Sequence, residues 1–339
     1  MLIFCMGLAD GGERDRVLAY AYDFARRAMP TPELASVLDT ALIGLDEHAR
    51  RSDLPFIIDL PLSVYAAIRG ERAPAIPIAA AIGLMYLGFD IGDDLTDGDL
   101  PPHWQGRSVA EIEIIMVALV ASLPPALIDA LDVPADVRAR MQGGFARRLM
   151  TMLGGQHRDV RAAGTADVTA KAVEESVAAK TGEEFALFAW LAAVYAGATP
   201  AELELYDAMG RALGTALQFR SDCRDLFNAT HSKDLAAGTR TLPIALTLER
   251  LTGDARAEFV ALLDRARSDT AAGVAVRQRI RAARVVPLCA MVIEVYRQQA
   301  LAAIEAAGAP EPARQRLRSL CDFAWPPPVT SPSAAPASR

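Results

Sequence analysis

The sequence predicts an all-α protein, a single-domain antiparallel helical bundle, on three observations. Apolar residues recur at spacings of three and four in "SVLDTALIGLDEHARR", "VRARMQGGFARRLMTMLGG" and "LYDAMGRALGTALQFR", the period of one face of an α-helix. Strand-like alternation of apolar and polar residues is nearly absent. Breaks at Pro30-Thr31-Pro32, Pro101-Pro102, Pro124-Pro125, Pro134, Gly164 and Pro200 leave helices of ordinary length joined by short loops, and no linker divides the middle of the chain.

The opening "MLIFCMGLAD" has an apolar run, but it lacks a basic flank and is too short for a secretory segment or a membrane span. The longer run "APAIPIAAAIGLMYLGF" approaches spanning length, yet Pro74 and Pro77 punctuate its start and a block of acids ends it. It is expected to be a buried helix, so no membrane span is predicted. The helical domain is expected to cover 1–325, and the Pro/Ser/Ala-rich "PPPVTSPSAAPASR" from Pro326 to be a disordered tail with nothing to bury.

A chain of 339 residues, 52% hydrophobic, is long and apolar enough for a substantial core. Its net charge of -7 with no basic stripe excludes a general nucleic-acid surface. Cys5, Cys223, Cys289 and Cys321 form no CxxC pair, so neither a disulfide framework nor a zinc site is indicated and a reducing cytoplasm is the expected location.

Two acidic clusters carry the chemistry. In "MYLGFDIGDDLTDGD" the apolar run passes straight into Asp90, Asp93, Asp94, Asp97 and Asp99. On a helix, residues three and four apart share a face, so Asp90, Asp93 or Asp94, and Asp97 are expected to form one column. Like charges at that spacing repel, and hard carboxylate oxygens suit Mg²⁺, an ion commonly shared with substrate phosphates. The second cluster, "LGTALQFRSDCRDLFNATHSKDLAAGTRTLP", places Gln218, Asp222 and Asp225 on one face, with Asp234 further on. Facing helices of this kind present two carboxylate walls across a cavity, able to hold several divalent ions around a diphosphate.

At this point the sequence resembles the trans-isoprenyl diphosphate synthases and the wider class I isoprenoid synthases. "DDLTD", Asp93 to Asp97, matches their DDxxD motif, "LQFRSDCRD" looks like their FQxxDDxxD motif, and "KDLAAGTRTLPIAL" resembles the segment after it. Between them, Gln156 and Asp159 in "GGQHRD" and Lys180 and Thr181 in "AAKTGEEF" fall in the order of the family's GQxxD and KT elements. The ordered combination, over roughly residues 40 to 250, is far more specific than any one motif. The resemblance implies that fold with a central apolar cavity, and an allylic prenyl diphosphate as substrate. It implies Mg²⁺ held by Asp93, Asp94 and Asp97 on one side and by Asp222 and Asp225 on the other. Asp93, Asp94, Asp97 and Lys180 are then the catalytic residues; Lys180 contacts the diphosphate, and Gln218, Lys233 and Phe89 complete the substrate site. A homodimer is expected on the same ground.

The departures matter as much. Elongating synthases of this family carry a basic GKRxRP segment for isopentenyl diphosphate; the nearest stretch here, "ARRSDLPF", keeps Arg51 and Pro55 but has Ser52 and Leu54. Where paired arginines follow DDxxD in the family, this chain has Pro101-Pro102 and "HWQGR". Ser221 opens the second motif in place of aspartate, and Asn228-Ala229 stands where a glycine-lysine pair is usual. A second diphosphate is costly to desolvate without cations. The leading reading is therefore ionisation of one allylic diphosphate, followed by cyclisation or by transfer to an acceptor other than isopentenyl diphosphate. Chain elongation is the alternative, with Arg69 or Arg72 supplying the missing charge; a noncatalytic partner subunit is the third. Phe89 and Gly88 precede DDxxD where the family sets its cavity floor, which favours short prenyl tails. Tyr86, Phe185, Phe188, Trp190 and Phe219 are candidate cavity aromatics.

Overall fold

The computed structural model describes residues 11–50, 55–228 and 232–322. Among these residues there is no strand, and helices follow one another. They are α1 (Gly11–Ala28), α2 (Pro32–Arg50), α3 (Pro55–Arg69), α4 (Ile76–Asp97), α5 (Val109–Val117), α6 (Leu123–Asp129), α7 (Ala135–Ala162), α8 (Ala170–Val177), α9 (Glu183–Tyr195), α10 (Pro200–Asn228), α11 (Lys233–Ala237), α12 (Leu242–Arg250), α13 (Gly253–Ala266), α14 (Thr270–Ala282), α15 (Val286–Ala307) and α16 (Ala313–Ser319). The all-α expectation is met. The expected tail from Pro326, the opening "MLIFCMGLAD", and Arg51, Ser52 and Leu54 lie outside the described residues.

A helix that is apolar all round has to be surrounded by other helices, and two helices are of this kind. In α4 both faces are buried from Ile76 to Gly88, and α9 is buried from Glu183 to Val194. Around α4 pack α1, α3 and α6; around α9 pack α3, α7 and α10, and α10 in turn packs along α15. One apolar cluster draws on α1 to α7, α9, the first half of α10, the end of α15 and α16, and a second lies among α8, the end of α10, α11 to α14 and the first half of α15. The stretches Ala73–Asp97 and Val109–Asp129 are long and apolar enough to cross a membrane by length and composition, but the first is largely buried in the protein interior. That burial is what its flanking prolines and acids predicted. α4 stops where Gly98 takes the left-handed conformation, φ 70°, and Asp99 N–H donates to Asp94 O at 3.0 Å.

Two departures from regular helix geometry flank the cavity described below. Between α5 and α6, Ala118–Ser122 is a π-helical turn, and between α8 and α9, Ala178–Gly182 is another. Pro124-Pro125 was expected to break the chain. Instead Pro124 sits in the first turn of α6 directly after the π-helical turn, where a residue without an N–H removes no intrahelical bond. Neither Arg69 nor Arg72 lines the cavity. Arg72 is buried, with Nη2 2.7 Å from Asp59 Oδ1 and Nε 2.8 Å from Glu13 Oε2. Arg69 is exposed at the far end of α3 from Ile57, the α3 residue that reaches the cavity, roughly 18 Å along the helix. The proposed substitute cations are therefore not at the site.

Glycines let the second π-helical turn sit close between two helices. A Cβ on Gly155 of α7 would lie 2.6 Å from the Lys180 backbone nitrogen, and one on Gly214 of α10 would lie 2.4 Å from Thr181 O. Neighbouring Gly154 is exposed with open space around its Cβ position. The two adjacent glycines should therefore respond oppositely to alanine. Gly154→Ala is expected to raise the melting temperature, by up to about 1 kcal/mol of helix propensity. Gly155→Ala is expected to lower it by about 1–3 kcal/mol through overpacking. Thermal denaturation of both variants checks this, and equal effects would contradict the close approach.

Candidate active site

A cavity of about 740 Å³ opens between α4, α5, α7, α9 and α10, within the usual size of small-molecule sites. Its deep wall is apolar, with Ile57, Phe89, Met116, Val120, Met152 and Phe185, and its polar wall carries Asp90, Asp93, Gln156, Lys180, Glu184, Gln218, Arg220, Ser221 and Arg224. Gly88 brings α4 against the first π-helical turn, since a Cβ there would be 2.5 Å from Val120 Cγ2. Of the candidate aromatics, Tyr86 and Phe185 line the cavity. Phe188 is fully buried core, Trp190 packs on Gly144 with Arg148 over its ring at 5.1 Å, and Phe219 lies 6.0 Å from the Tyr296 ring in the second cluster.

The acids of α4 share one stripe, since on a 3.6-residue turn Asp90, Asp93, Asp94 and Asp97 fall within about 100° of one another. Both lysines act on it: Asp97 feels Lys180 and Lys233, Asp94 feels Lys233, and Asp90 and Asp93 line the cavity. Lys180 Nζ donates to Asp93 Oδ1 at 3.2 Å and Oδ2 at 3.3 Å, and Gln156 Nε2 donates to Asp93 Oδ1 at 3.2 Å. Lys233 Nζ pairs with Asp99 Oδ2.

The turn that carries Lys180 is braced by charge. Glu183, immediately after it, accepts from Arg148 Nη1 at 2.6 Å and from Arg211 Nη1, and both arginines also bond Asp207. Thr181 Oγ1 donates to Gln218 Oε1 at 2.8 Å, and Gln218 Nε2 donates to Asp222 Oδ1 at 2.7 Å. Lys180, Thr181, Gln218 and Asp222 are thus tied into one wall running from the turn to α10.

Asp225 has structural partners of its own. It accepts from the Ser232 hydroxyl, from Lys233 N–H at 3.1 Å and from Asp234 N–H at 3.2 Å, so it helps to cap α11. The N-cap of α11 is Ser232, whose hydroxyl accepts from Leu235 N–H at 3.2 Å, and not Asp234. Asp234 instead turns into the acid group, where it meets Asp222, Asp225, Asp159 and Asp97. Arg107, from "HWQGR", bonds Ser36 and Thr40 of α2, with 2.8 Å to Ser36 O, and does not line the cavity. Asn228 closes α10, and Ala229 lies outside the described residues.

The electrostatics follow from this crowding. Burial first, then Asp90, raises the Asp94 carboxyl to about 6. Burial and Asp93 raise Asp97; burial raises Asp159, against the pull of Lys180; burial and the neighbouring acids raise Asp222 and Asp234. Glu184 is pushed to about 8 by burial and then by Asp93. Burial works against the Lys180 charge, but Asp93 and Asp159 outweigh it and its pKa rises. Such a site gains free energy from added positive charge. No group of three or more acidic, histidine or cysteine side chains among the described residues is placed to hold an ion alone, so a divalent ion here would take its remaining ligands from water and phosphate oxygens.

Sequence reasoning named Asp159 and Asp234 by motif without giving them a role, and the structure brings both into the acid group. It left aside Glu184, Arg220 and Arg224. Glu184 carried no periodic signal, because α9 is buried on every side. Arg220 and Arg224 reach the cavity from within the second motif, which reduces the shortage of positive charge read from the sequence.

A model of the polyprenyl synthetase family matches residues 61–279, well over half of the chain. A comparison with curated proteins returns no match. Among solved structures, a polyprenyl synthetase from Streptomyces coelicolor is 21% identical with a TM-score of 0.78, covering 92% of this chain and 97% of that one. A geranylgeranyl pyrophosphate synthetase from Pyrococcus horikoshii is 20% identical at a TM-score of 0.79, covering 92% and 95%. A polyprenyl synthase from Caulobacter crescentus, complexed with calcium and isoprenyl diphosphate, is 21% identical at 0.75, covering 92% and 94%. At these identities the structures establish the shared fold.

The raised carboxyls predict how stability depends on pH without metal. A carboxyl whose folded pKa lies above its unfolded value stabilises the fold below the unfolded value, and that stability is lost as pH rises through the folded value. For Asp94 the window runs from 3.8 to about 6, and for Glu184 from 4.5 to about 8. In chelator the melting temperature should fall between about pH 5 and pH 8. Asp94→Asn should flatten the lower part of that fall, and added Mg²⁺ should recover more at the higher pH. A pH profile unchanged by Asp94→Asn would contradict the assignment.

Proposed function

The chain belongs to the polyprenyl synthetase family, and we propose that it ionises one allylic prenyl diphosphate and carries the resulting cation to cyclisation or to an acceptor other than isopentenyl diphosphate. The observation that carries this reading is the two-walled mouth of the cavity, where a carboxylate group surrounds Lys180 above an apolar chamber. Lys180 and Lys233 hold the diphosphate, and Gln218, fixed between Thr181 and Asp222, orients the wall beside it. Asp93, Asp94, Asp97, Asp222 and Asp225 would hold Mg²⁺, which when bound would supply neutralising charge for diphosphate departure. The prenyl tail occupies the apolar wall, and Phe89 limits its length to the geranyl or farnesyl range. Water is excluded by that same wall, which preserves the cation until it reacts.

Chain elongation with isopentenyl diphosphate is the second reading, and one observation favours it. Arg220 and Arg224, four residues apart on α10, both line the cavity and offer a second anionic group the cations that the "ARRSDLPF" segment lacks. Incubation with geranyl, farnesyl and geranylgeranyl diphosphates, each with and without isopentenyl diphosphate, separates the two. A hydrocarbon or alcohol formed without isopentenyl diphosphate is expected. In the Asp93→Ala, Asp94→Ala variant it should fall by at least ~10²-fold, the scale of losing a preorganised charge-stabilising group. Longer diphosphates formed only with isopentenyl diphosphate would overturn the first reading in favour of the second.

A homodimer belongs to the same proposal. Val109, Ile114 and Val117 on α5 and Met150, Leu153 and Val160 on α7 are large apolar side chains left exposed, and a second copy would cover them. Light scattering should give a dimer for the wild type and a helical monomer for Ile114→Glu, Met150→Glu; a monomeric wild type would refute this part.

A further inference from the structure

The adjacent acids Glu183 and Glu184 are both buried, at 5% and 8% exposure, yet they are treated differently. Glu183 is neutralised by two arginines. Glu184 lines the cavity beside Phe185, and its Oε1 has no hydrogen-bond partner. A buried carboxyl left without a partner is costly, and an apolar side chain of similar volume would fill the space without that cost. The residue therefore calls for an explanation outside packing.

We propose that Glu184 is the proton acceptor that ends the cation's reaction in this cavity. This rests on the reading of allylic ionisation given above. The bond from the allylic carbon to the diphosphate oxygen breaks, and its electron pair leaves with the diphosphate. A carbon next to the cationic centre then gives up a proton. The electron pair of that C–H bond becomes the new double bond, and the proton passes to a Glu184 carboxylate oxygen, which becomes a neutral carboxylic acid. The product is an uncharged alkene, and the acid is reset by releasing its proton to solvent as the cavity opens.

Position supports the role. Glu184 lies one turn beyond Lys180 on the cavity wall, so the charge that holds the diphosphate and the group that takes the proton are carried by one continuous segment. Apolar residues lining the same cavity, Phe185, Leu149 and Met152, keep water from competing for the cation. Burial and then Asp93 raise the Glu184 pKa to about 8, so the proton-accepting carboxylate dominates above that pH, and Lys180 and the cation itself favour the charged form below it.

The test measures diphosphate release and product composition for the wild type, Glu184→Gln and Glu184→Leu, with geranyl and farnesyl diphosphate and Mg²⁺. General bases contribute roughly 10²–10⁴-fold, so the alkene-to-alcohol ratio should fall by at least about tenfold in both variants as water captures the cation. Diphosphate release should stay within about tenfold of wild type, consistent with a group that acts after ionisation. The leucine variant covers the case in which glutamine does not fold. An unchanged ratio in a folded variant would overturn the proposal, as would loss of diphosphate release together with all products. If the wild type releases diphosphate only with isopentenyl diphosphate, the acceptor reading fails. Glu184 is then judged in that reaction, by whether the variants yield hydroxylated adducts in place of the elongated alkene.

Discussion

Lys180 is bonded to Asp93 in a part of the structure where carboxylates outnumber cations. Around that pair stand Asp90, Asp94, Asp97, Asp159, Asp222 and Asp234, and the second lysine, Lys233, pairs with Asp99 at the exposed rim. Burial pushes Asp94, Asp97, Asp159, Asp222 and Asp234 toward the neutral form, and repulsion from neighbouring acids pushes the same way. The acids are gathered at the C-terminal ends of α4, α7 and α10 and at the start of α11. Added cations and a polyanion can relieve the repulsion together, and a polyanion alone cannot.

The rest of the architecture serves to hold that charge in place. The π-helical turn at Ala178–Gly182 presents Lys180 and Thr181 side by side, and it fits because Gly155 and Gly214 have no side chain where the backbone passes. The ring of Arg148, Glu183, Arg211 and Asp207 locks the following residue and so fixes the turn's register. The first π-helical turn does the same for the apolar wall, seated on Gly88. Widened turns of this kind re-aim side chains that a regular helix would direct elsewhere. Here both of them line the cavity.

Much of this was legible in the chain. The helical periods of α2, α7 and α10, the buried character of α4, and both acidic clusters were visible as pattern, because pattern encodes which face of a helix is apolar. Charge pairing was less legible. Arg72 looked like a spare cation and proved to be consumed by Asp59 and Glu13, while Arg220 and Arg224, inside the second motif, reach the cavity unannounced. Trp190 and Phe188 looked like cavity aromatics and are packing residues, since aromatic content does not specify which side of a fully buried helix meets a cavity.

The sequence by itself determined the fold class, the family and the two acidic motifs, because these depend on local periodicity and on residue order along the chain. Only the tertiary structure decided that Asp234 joins the acids while Asp225 helps to cap α11, that Glu183 is neutralised and Glu184 is not, and that Arg220 and Arg224 of α10 join Lys180 on the cavity wall. These outcomes depend on which groups from distant helices meet in a low-dielectric interior, where a partner a few ångströms away changes the free energy of a charge by more than any local preference does.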